Sequence, residues 1–378
     1  MNILILTHSF PDTKHNWRGI FIQEQAKALS AYFNVTVVYF KVDYSHFAPF
    51  SKYAFTRNTS NNFELYEVTI NKSFPVITQL KYLSNTYNFL NKEIFARTLP
   101  DVIHSHLSYP AGFLGSIIQK SKKIPNVLTE HSRIDNYFRS WLHKKCVSYA
   151  FRESKVIIAV SSSLKNEIVS FSHRSVTVIP NIVDVGIFEL KKTKPGKFIN
   201  IGFLGGMNNN NKGLDLLLQS VSRLGRKDFF LHIGGTGKLL GDFKEMTRAL
   251  GLDNNCKFYE EITRNDISDY YSKLDFLVLP SRYETFGIVL IEAMACGIPV
   301  IATKCGGPVD IVTPETGLLI EKDNIDELKN AILTMSETLE LYNKLTIRNY
   351  AKSSFGQEIF IKRQSELYQK ILTAKSNE

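Results

Sequence analysis

Two glutamates separated by seven residues, Glu284 and Glu292, lie in the segment SRYETFGIVLIEAMACGIP, residues 281–299. The second glutamate is unexpected, because the residues around it, from Ile288 onward, have the pattern of an apolar helix. A buried carboxylate without a partner is strongly destabilising or takes up a proton. The sequence therefore predicts that Glu292 binds either a ligand or a cationic side chain.

The start of this helix is a candidate anion site. The preceding LDFLVLPS reads as a buried strand, and we expect the helix to begin near Phe286, which leaves the amides of Phe286, Gly287 and Ile288 without intrahelical acceptors. Such amides bind phosphate, and a glycine lets the ligand approach the backbone. Glu292, less than two turns further on, could accept two hydrogen bonds from a ribose diol, and Glu284 would reach the group beyond the phosphates. An ion pair of Glu292 with a Lys or Arg is the alternative.

Short apolar runs alternate with helical patterns and would form the sheets that position these residues. The runs are NILILT, NVTVVYF, DVIHSH, NVLTEH and KVIIAVS in the first half, and NIGFLGG, FFLHIGG, CKFYEE, DFLVLPS, PVIATKC and GLLI in the second. This pattern predicts an α/β protein with two doubly wound, Rossmann-like domains whose ligand-binding edges face one cleft. We expect an N-terminal domain over 1–187, a C-terminal nucleotide-binding domain over 188–355, and a helix over 356–378 that packs back toward the N-terminal domain. Residues 179–198 are the candidate linker.

Length and composition fit this two-domain interpretation. The 378 residues exceed what one core usually supports, and domains of roughly 150–200 residues are expected. No apolar run approaches the roughly 20 residues of a membrane-spanning helix. The opening MNILILTHSF reads as a strand without a signal-peptide cleavage site, which predicts a cytoplasmic protein. The four cysteines lack CxxC spacing and are expected to be reduced thiols.

The net charge of +10 is concentrated in the first half of the chain. Residues 1–190 contain 21 Lys and Arg against 13 Asp and Glu, an excess of +8, whereas the remainder has an excess of only +2. A one-sided basic surface favours a polyanionic partner, either nucleic acid or the acidic face of a membrane. A genome that favours lysine codons would explain the charge equally well. We expect no nucleic acid partner and keep the inner membrane face as a candidate peripheral site.

Three further patterns have structural and functional interpretations. His104 and His106 alternate on a strand, but no third metal ligand of fitting spacing is evident. HIGGTG resembles a glycine-rich phosphate loop, yet it lacks a full dinucleotide fingerprint and is interpreted as a turn at a strand end. The helix in YFRSWLHKKCVSYAFRESK mixes basic and apolar residues. It fits an interfacial helix, although burial in the core is the favoured interpretation for its apolar residues Phe138, Trp141, Leu142, Val147 and Tyr149.

The segment ETFGIVLIEAMACGIPVIAT resembles the signature of the family 4 retaining glycosyltransferases, which have the GT-B fold. HSFPD and RGIFIQEQAKAL resemble the first strand, donor loop and first helix of the family, and LTEHS resembles its strand-end histidine. AVSSSLKNEI, VIPNIVD, KGLDLLL, HIGGTG, DFLVLPS and GGPVDIV follow in family order. The resemblance covers nearly the whole chain, and the order and spacing of its motifs are specific.

The resemblance implies a role for each matching residue of the second domain. Glu292 would hold the ribose of a nucleotide sugar, and Glu284 would bind hydroxyls of the donor sugar in the catalytic centre. Phe286 and Gly287 would offer backbone amides near the sugar and diphosphate, and Lys212 would neutralise the diphosphate. Lys212 and the helix start would then stabilise the leaving group without a metal.

The remaining family contacts involve both domains. The backbone around Glu261 and Ile262 would contact the base, Gly19 would close over the phosphates, and His131 would contact the transferred sugar near its anomeric carbon. No cofactor is expected beyond the nucleotide-sugar donor as co-substrate.

Two positions depart from the family pattern. The family usually carries an arginine where FLGGMNNNNKG has Gly206, so half of the expected cationic clamp is missing. The first loop of the family often has paired glycines, whereas Arg18 precedes Gly19 in this chain. Arg18 could supply the missing charge to the donor, and a solvated loop arginine is the alternative.

The expected function is therefore transfer of a hexose or hexose derivative from a nucleotide diphosphate sugar, with UDP favoured over GDP, to a saccharide or lipid-linked saccharide. Retention at the anomeric carbon would proceed by same-face substitution, which requires chiefly positioning and charge stabilisation. Biosynthesis of a cell-surface polysaccharide or glycolipid fits this chemistry. A non-hydrolysing sugar-nucleotide epimerase of GT-B fold and a non-catalytic sugar-nucleotide-binding subunit are the alternatives.

Overall fold

The computed structural model describes residues 1–12, 17–47, 53–60, 62–73, 75–138, 140–190, 196–226 and 228–376. The chain divides into two compact units, which we call unit 1, Met1–Pro180 with Phe360–Glu378, and unit 2, Asn181–Ile359. Unit 1 is thus built from two separate stretches of the chain. The units divide after residues 180 and 359, whereas the sequence analysis places the boundaries after 187 and 355. Residues 191–195 of the expected linker lie outside the described residues.

Unit 1 contains, within the described residues, a sheet of eight strands in the order β3-β4-β2-β1-β5-β6-β7-β8. The strands are β1 Asn2–Thr7, β2 Asn34–Phe47, β3 Ala54–Ser60, β4 Phe63–Lys72, β5 Val102–His106, β6 Asn126–Glu130, β7 Val156–Ala159 and β8 Thr177–Val178. Strands β5 and β6 are buried along their whole length. Their apolar residues fit burial on both faces of the sheet, and the polar residues pair across the two strands, His104 with Thr129 and Ser105 with Asn126.

The edge of this sheet departs from the predicted alternation. Strand β3 pairs antiparallel with β4, while β4 pairs in parallel with β2. Neither β3 nor β4 is among the predicted strands. The described side chains of β3 are exposed, and those of β4 alternate between buried and partly exposed positions, so neither strand has the continuous apolar run of a buried parallel strand.

The helices of unit 1 flank its sheet. They are α1 Ile20–Ser30, α2 Pro75–Phe89, α3 Phe113–Lys122, α4 Trp141–Glu153, α5 Ser162–Ser172 and α12 Gln357–Ser376, of which α12 begins in unit 2. Serine side chains cap two of them, since Ser140 accepts from the amide of His143 and Ser161 from that of Leu164. These caps satisfy backbone donors that a helix start leaves unpaired.

Unit 2 has a parallel sheet of six strands, within the described residues, in the order β11-β10-β9-β12-β13-β14. The strands are β9 Ile199–Leu204, β10 Phe229–Gly234, β11 Cys256–Tyr259, β12 Phe276–Leu279, β13 Val300–Thr303 and β14 Gly317–Ile320. The helices are α6 Leu214–Ser222, α7 Leu240–Ala249, α8 Ile267–Tyr271, α9 Ile288–Ala295, α10 Ile325–Glu337 and α11 Lys344–Phe355. Counted from β9, the strand order is 3-2-1-4-5-6, the doubly wound order in which ligands bind where the order reverses.

The two reversal points locate the candidate sites before any side chain is considered. In unit 2 the order reverses between the neighbours β9 and β12, and in unit 1 between β1 and β5. Connections from neighbouring parallel strands diverge at these points and leave a crevice beyond the carboxyl ends of the strands. The loops after β9 and β12, and those after β1 and β5, are therefore the segments in which functional residues are expected.

Part of the candidate linker belongs structurally to unit 2. Val183 forms a bridge with Gly356, and the Arg348 guanidinium donates to the carbonyl oxygens of Val185, Phe188 and Ala295. These bonds hold the segment after Pro180 against α9 and α11, which explains why the boundary falls earlier than predicted.

Candidate functional site

The reversal point of unit 2 brings together two residues that the sequence places 72 positions apart. Lys212 ends a short turn after β9, and Glu284 lies in the loop after β12. The Lys212 ammonium group forms an ion pair with Glu284 Oε1, which also accepts a hydrogen bond from Ser281 Oγ at 3.0 Å. The Glu284 side chain is 8% exposed and that of Lys212 is 32% exposed. One face of the cation therefore remains open to an anionic ligand.

Hydrogen bonds and ion pairs connect the two loops that carry Lys212 and Glu284. The Arg282 guanidinium binds both carboxylate oxygens of Asp215, at 2.9 and 2.8 Å, and lies 2.8 Å from a carboxylate oxygen of Asp323. The side-chain amide of Asn211 donates to the Tyr283 carbonyl oxygen at 2.9 Å. Bidentate contacts of this kind fix geometry as well as adding energy. Lys212 and Glu284 are thus held in place before any ligand binds, which favours electrostatic stabilisation of developing charge.

Helix α9 begins two residues later than predicted. Gly287 is its N-cap with φ +104°, a conformation that favours glycine, and the first helical residue is Ile288. The expectation that Phe286 lies at the helix start is therefore wrong. Phe286 instead lies against Gly307, where an added Cβ would come within 2.3 Å of the Phe286 Cα. The helix-start amides belong to Ile288 and Val289, directly after the glycine.

Glu292 has a cationic partner within unit 2. Its Oε1 accepts from the Arg264 guanidinium at 2.6 Å, and its Oε2 accepts from the Tyr271 hydroxyl at 3.0 Å. The glutamate is buried, and Arg264 also lies 5.1 Å from the centre of the Phe188 ring. The ion pair that the sequence left open as the alternative to ligand binding is therefore present. A carboxylate has about four acceptor positions, so these two bonds leave capacity for a diol.

Arg264 and Tyr271 are the contributors to this site that the sequence analysis does not identify. Arg264 follows the β11 loop that carries Glu261 and Ile262, and Tyr271 ends α8. Glu261 is exposed, while the Ile262 side chain lies over Gly234 at the end of β10. One glutamate in an apolar helix indicates that its carboxylate has a partner. The spacing of residues along the sequence does not show that this partner is an arginine in a separate loop.

Gly206 occupies open space in the loop after β9. It is exposed, and a Cβ added there would meet no described atom within 4 Å. No contact among the described residues therefore requires a glycine at this position.

In unit 1, Gly19 and His131 follow the strands β1 and β6. Gly19 has φ +67° and caps α1, and an added Cβ would lie 2.3 Å from the Ser9 carbonyl oxygen, so only glycine fits. The His131 ring lies 4.5 Å from the Phe21 ring, measured between centroids, and its Nε2 is 3.0 Å from His106 Nδ1. The roles of Gly19 toward the phosphates and of His131 toward the transferred sugar stay predictions from the family resemblance.

Glu130 positions the loop that carries His131. Its carboxylate accepts from the backbone amides of Ser108, His131 and Ser132, each at 2.8 Å, and from the Tyr137 hydroxyl at 3.2 Å. Burial raises the pKa of Glu130, and the hydrogen bonds from Ser108, Ser132 and His131 oppose that rise. Glu130 was not among the predicted site residues, although the strand-end sequence TEHS contains it.

His104 and His106 are buried next to His131. His104 Nδ1 lies 2.6 Å from the Tyr368 hydroxyl and Nε2 lies 2.7 Å from the Thr129 hydroxyl, so both of its nitrogens are engaged. Burial lowers the pKa of His104 to about 3. Burial also lowers the pKa of His106, with His104 and His131 contributing. The His106 ring stacks on His104, with 4.4 Å between centroids, and hydrogen-bonds to His131, which fixes the orientation of the His131 ring.

Comparison with known proteins identifies the family of the chain. The model of Glycosyltransferase Family 4 matches residues 19–186, and that of Glycosyl transferases group 1 matches residues 188–352. An uncharacterized glycosyltransferase of Methanocaldococcus jannaschii is 32% identical over 77% of this chain and 80% of its own length. The chain is a family 4 glycosyltransferase.

Solved structures show that this glycosyltransferase has the GT-B fold. Sucrose-phosphate synthase from Thermosynechococcus elongatus matches with a TM-score of 0.78 at 18% identity, covering 99% of both chains. The Anabaena protein HepE, in complex with UDP and glucose, matches with a TM-score of 0.76 at 19% identity, covering 98% of this chain and 100% of the other. The family and fold predicted from the motifs are confirmed.

Helix α4 of the glycosyltransferase and Phe138 before it carry an exposed surface, which we call the aromatic-basic face and which comprises Phe138, Trp141, Leu142, Lys144 and Lys145. Trp141 is 70% exposed, and Phe138 and Leu142 are 41% and 42% exposed. The expectation that these three side chains lie in the core is therefore wrong, whereas Val147 is buried as expected. The ammonium groups of Lys144 and Lys145 lie 5.2 and 4.7 Å from the Phe138 and Trp141 ring centres. No helix among the described residues has the length and apolarity to cross a bilayer.

Proposed function

We propose that this glycosyltransferase moves a hexose or hexose derivative from a nucleotide diphosphate sugar to a saccharide or lipid-linked saccharide, with retention at the anomeric carbon. The observation that carries the donor assignment is the half-exposed Lys212 held beside Glu284 at the reversal point of unit 2. A cation there, next to the amides at the start of α9, suits a diphosphate. UDP is the favoured nucleotide because the Anabaena neighbour is described in complex with UDP and glucose, and GDP is the second candidate.

Each group would act on a different part of the donor. Lys212 and the amides after Gly287 stabilise the charge that develops on the leaving diphosphate, while Glu284 accepts hydrogen bonds from hydroxyls of the sugar. Glu292 accepts hydrogen bonds from the ribose, and the backbone at Glu261 and Ile262 faces the base. The protein then contributes positioning and charge stabilisation, which same-face substitution chiefly requires. This assignment needs neither a metal nor a cofactor.

Donor profiling tests the proposal directly. Binding of UDP-, GDP- and ADP-sugars is measured by thermal shift. Hydrolysis of each donor is measured by the slow release of its nucleotide, and EDTA is present in both measurements. One donor series should raise the melting temperature, since a ligand that binds only the folded state stabilises it by mass action. Its hydrolysis should proceed in EDTA because Lys212 supplies the positive charge. Binding without turnover, or a complete dependence on magnesium or manganese, would contradict the proposed chemistry.

Glu292→Gln is expected to keep the fold and weaken donor binding. The amide oxygen of glutamine can still accept from Arg264, but the charge-assisted bonds to the ribose are lost, at about 1.5 kcal/mol or more. Calorimetry with UDP or the preferred nucleotide would show a Kd at least about tenfold higher.

The matched control for Glu292 is Glu260→Gln. Glu260 is exposed and pairs with Lys244 at 2.9 Å on the surface of the same unit. This control should leave the nucleotide Kd unchanged, because surface ion pairs contribute little. An unchanged Kd in Glu292→Gln would show that Glu292 serves only to hold Arg264 and Tyr271.

The acceptor proposal rests on the aromatic-basic face and on the basic first half of the chain. Exposed Trp141 beside Lys144 and Lys145 combines an interfacial aromatic residue with cations that anionic lipids attract. We infer peripheral attachment to the anionic inner face of the cell membrane. A lipid-linked saccharide of cell-surface polysaccharide or glycolipid biosynthesis would be the acceptor presented there.

A further inference from the structure

A cavity of about 840 Å³ lies within unit 1 at the carboxyl end of its sheet. Residues at or near the ends of β1, β2, β5 and β6 line it, together with residues of α2 and α4. This is the edge of a doubly wound sheet at which ligands bind. The volume falls in the range of small-molecule sites, roughly 300–1,000 Å³.

Two cations line the cavity, Arg18 and Lys41, and its described lining includes no Asp or Glu. Two carboxylates just outside the lining engage Lys41, because its ammonium group pairs with Glu67 and lies 3.7 Å from a carboxylate oxygen of Asp12. Arg18 makes no ion pair with an acidic side chain within the described ranges. Its guanidinium group is therefore the cation of the wall that has no carboxylate contact among the described residues.

The histidine nearest to Arg18 does not add to this charge. His8 lines the same cavity, and burial, followed by the neighbouring Arg18 charge, lowers its pKa to about 4. His8 is therefore neutral at physiological pH, and Arg18 remains the cation of this end of the cavity.

The other walls offer aromatic and polar groups. Tyr82 donates to the Phe40 carbonyl oxygen at 2.7 Å, and Tyr137 donates to Glu130 at 3.2 Å, so both rings are tethered at their hydroxyls. Tyr109 is partly buried, and its ring centroid lies 4.9 Å from that of His143. Fixed aromatic faces with a few polar groups are typical of small-molecule sites.

We propose that this cavity binds the acceptor and selects a sugar that carries an anionic group, a phosphate or a carboxylate, with Arg18 as the counter-ion. The proposal deepens the proposed function, on which it rests, by naming the substrate class. It also assigns Arg18 to the acceptor, in place of the expectation that Arg18 compensates for Gly206 at the donor diphosphate. A guanidinium group suits the assignment because it binds phosphate and carboxylate with paired donors.

Binding of three probes tests the proposal by calorimetry: glucose 6-phosphate, glucuronate and glucose. The two anionic sugars distinguish phosphate from carboxylate, and at least one should bind about tenfold more tightly than glucose. Arg18→Gln should remove that preference, since a charged hydrogen-bonding partner contributes about a tenfold difference or more. The proposal is wrong if the anionic sugars bind no more tightly than glucose, or if Arg18→Gln keeps the preference.

The matched control is Arg57→Gln. Arg57 lies in unit 1 and lines a different cavity, with residues from the first half of β1 and β2, and it pairs with Glu64. This variant should retain the preference of the wild-type protein. Equal losses in both variants would attribute the effect to overall charge and overturn the proposal.

Nucleotide binding separates this proposal from the donor hypothesis. Arg18→Gln should leave the Kd for UDP and for the preferred donor unchanged, and adding Gly206→Arg should not restore anionic-sugar binding. A weaker nucleotide Kd in Arg18→Gln that Gly206→Arg restores would assign Arg18 to the donor and overturn the proposal. If wild-type protein binds no nucleotide but still prefers anionic sugars, the proposed function fails while the cavity assignment survives.

Discussion

Lys212→Gln is expected to lower the rate of donor hydrolysis about 100-fold or more. Removing one preorganised group that stabilises developing negative charge typically lowers kcat by about 10²–10³, and Lys212 is the cation at the reversal point of unit 2. The measurement is nucleotide release from the preferred donor under saturation, with the melting temperature recorded in parallel. A modest fall in melting temperature is also expected, because buried Glu284 loses its ionic partner.

Lys244→Gln is the control for Lys212→Gln. It removes a partly exposed lysine of unit 2 that pairs at 2.9 Å with an exposed glutamate, Glu260. Its hydrolysis rate should stay within about twofold of wild type, since surface pairs contribute little. If Lys212→Gln behaves like this control while its fold is intact, Lys212 serves only as the partner of Glu284, and the leaving diphosphate must be stabilised elsewhere.

Reversing two charges on the aromatic-basic face is expected to abolish most binding to anionic membranes. Each Lys near an anionic surface contributes about 1 kcal/mol, so the double variant Lys144→Glu, Lys145→Glu should bind at least about 30-fold more weakly. Sedimentation with vesicles of phosphatidylserine and phosphatidylcholine measures the partition. Wild-type binding should also weaken as salt rises, because the Debye length shortens to about 8 Å at physiological ionic strength.

Two further variants separate the face from overall charge. Lys120→Glu with Lys122→Glu makes the same change in net charge on α3, which exposes no large apolar side chain, and should weaken binding far less. Trp141→Ala should weaken binding while leaving the net charge unchanged, since an exposed tryptophan supplies interfacial contact. The membrane hypothesis is wrong if the α3 variant loses as much vesicle binding as the α4 variant. It is also wrong if the wild-type protein does not bind anionic vesicles at low salt, and a soluble acceptor is then the better hypothesis.

Strand ends were the most predictable part of the site. Parallel strands buried on both faces leave continuous apolar runs, and the polar residues that follow them lie at one edge of the sheet. The strand-end position of Glu284 after β12 followed from this pattern, whereas Lys212 was assigned to the donor from the family resemblance; the structure joins the two in an ion pair. Their roles toward the donor came from the family resemblance and stay predictions.

Contacts between separate loops were not predictable by the same reasoning. Glu292 required a partner, but Arg264 lies 28 residues away beyond a turn whose direction the pattern does not define. The apolar residues of α4 illustrate a second limit. Helical spacing shows which side chains share a face, but whether Trp141 meets the core or solvent depends on what packs there, and in this protein it is exposed. The exposed edge strand β3 was missed because an exposed strand needs no apolar run.

The discontinuity of unit 1 has a consequence for biosynthesis. A ribosome makes residues 1–180 before unit 2, but the segment that completes their unit, beginning at Phe360, is made only after unit 2. Tyr368 in that segment bonds to His104, 264 residues earlier in the chain. Domains made first usually fold first, whereas here the continuous unit 2 is complete in sequence before unit 1. A stop codon just before Phe360 would thus leave unit 2 whole, whereas unit 1 would lack nearly all of α12.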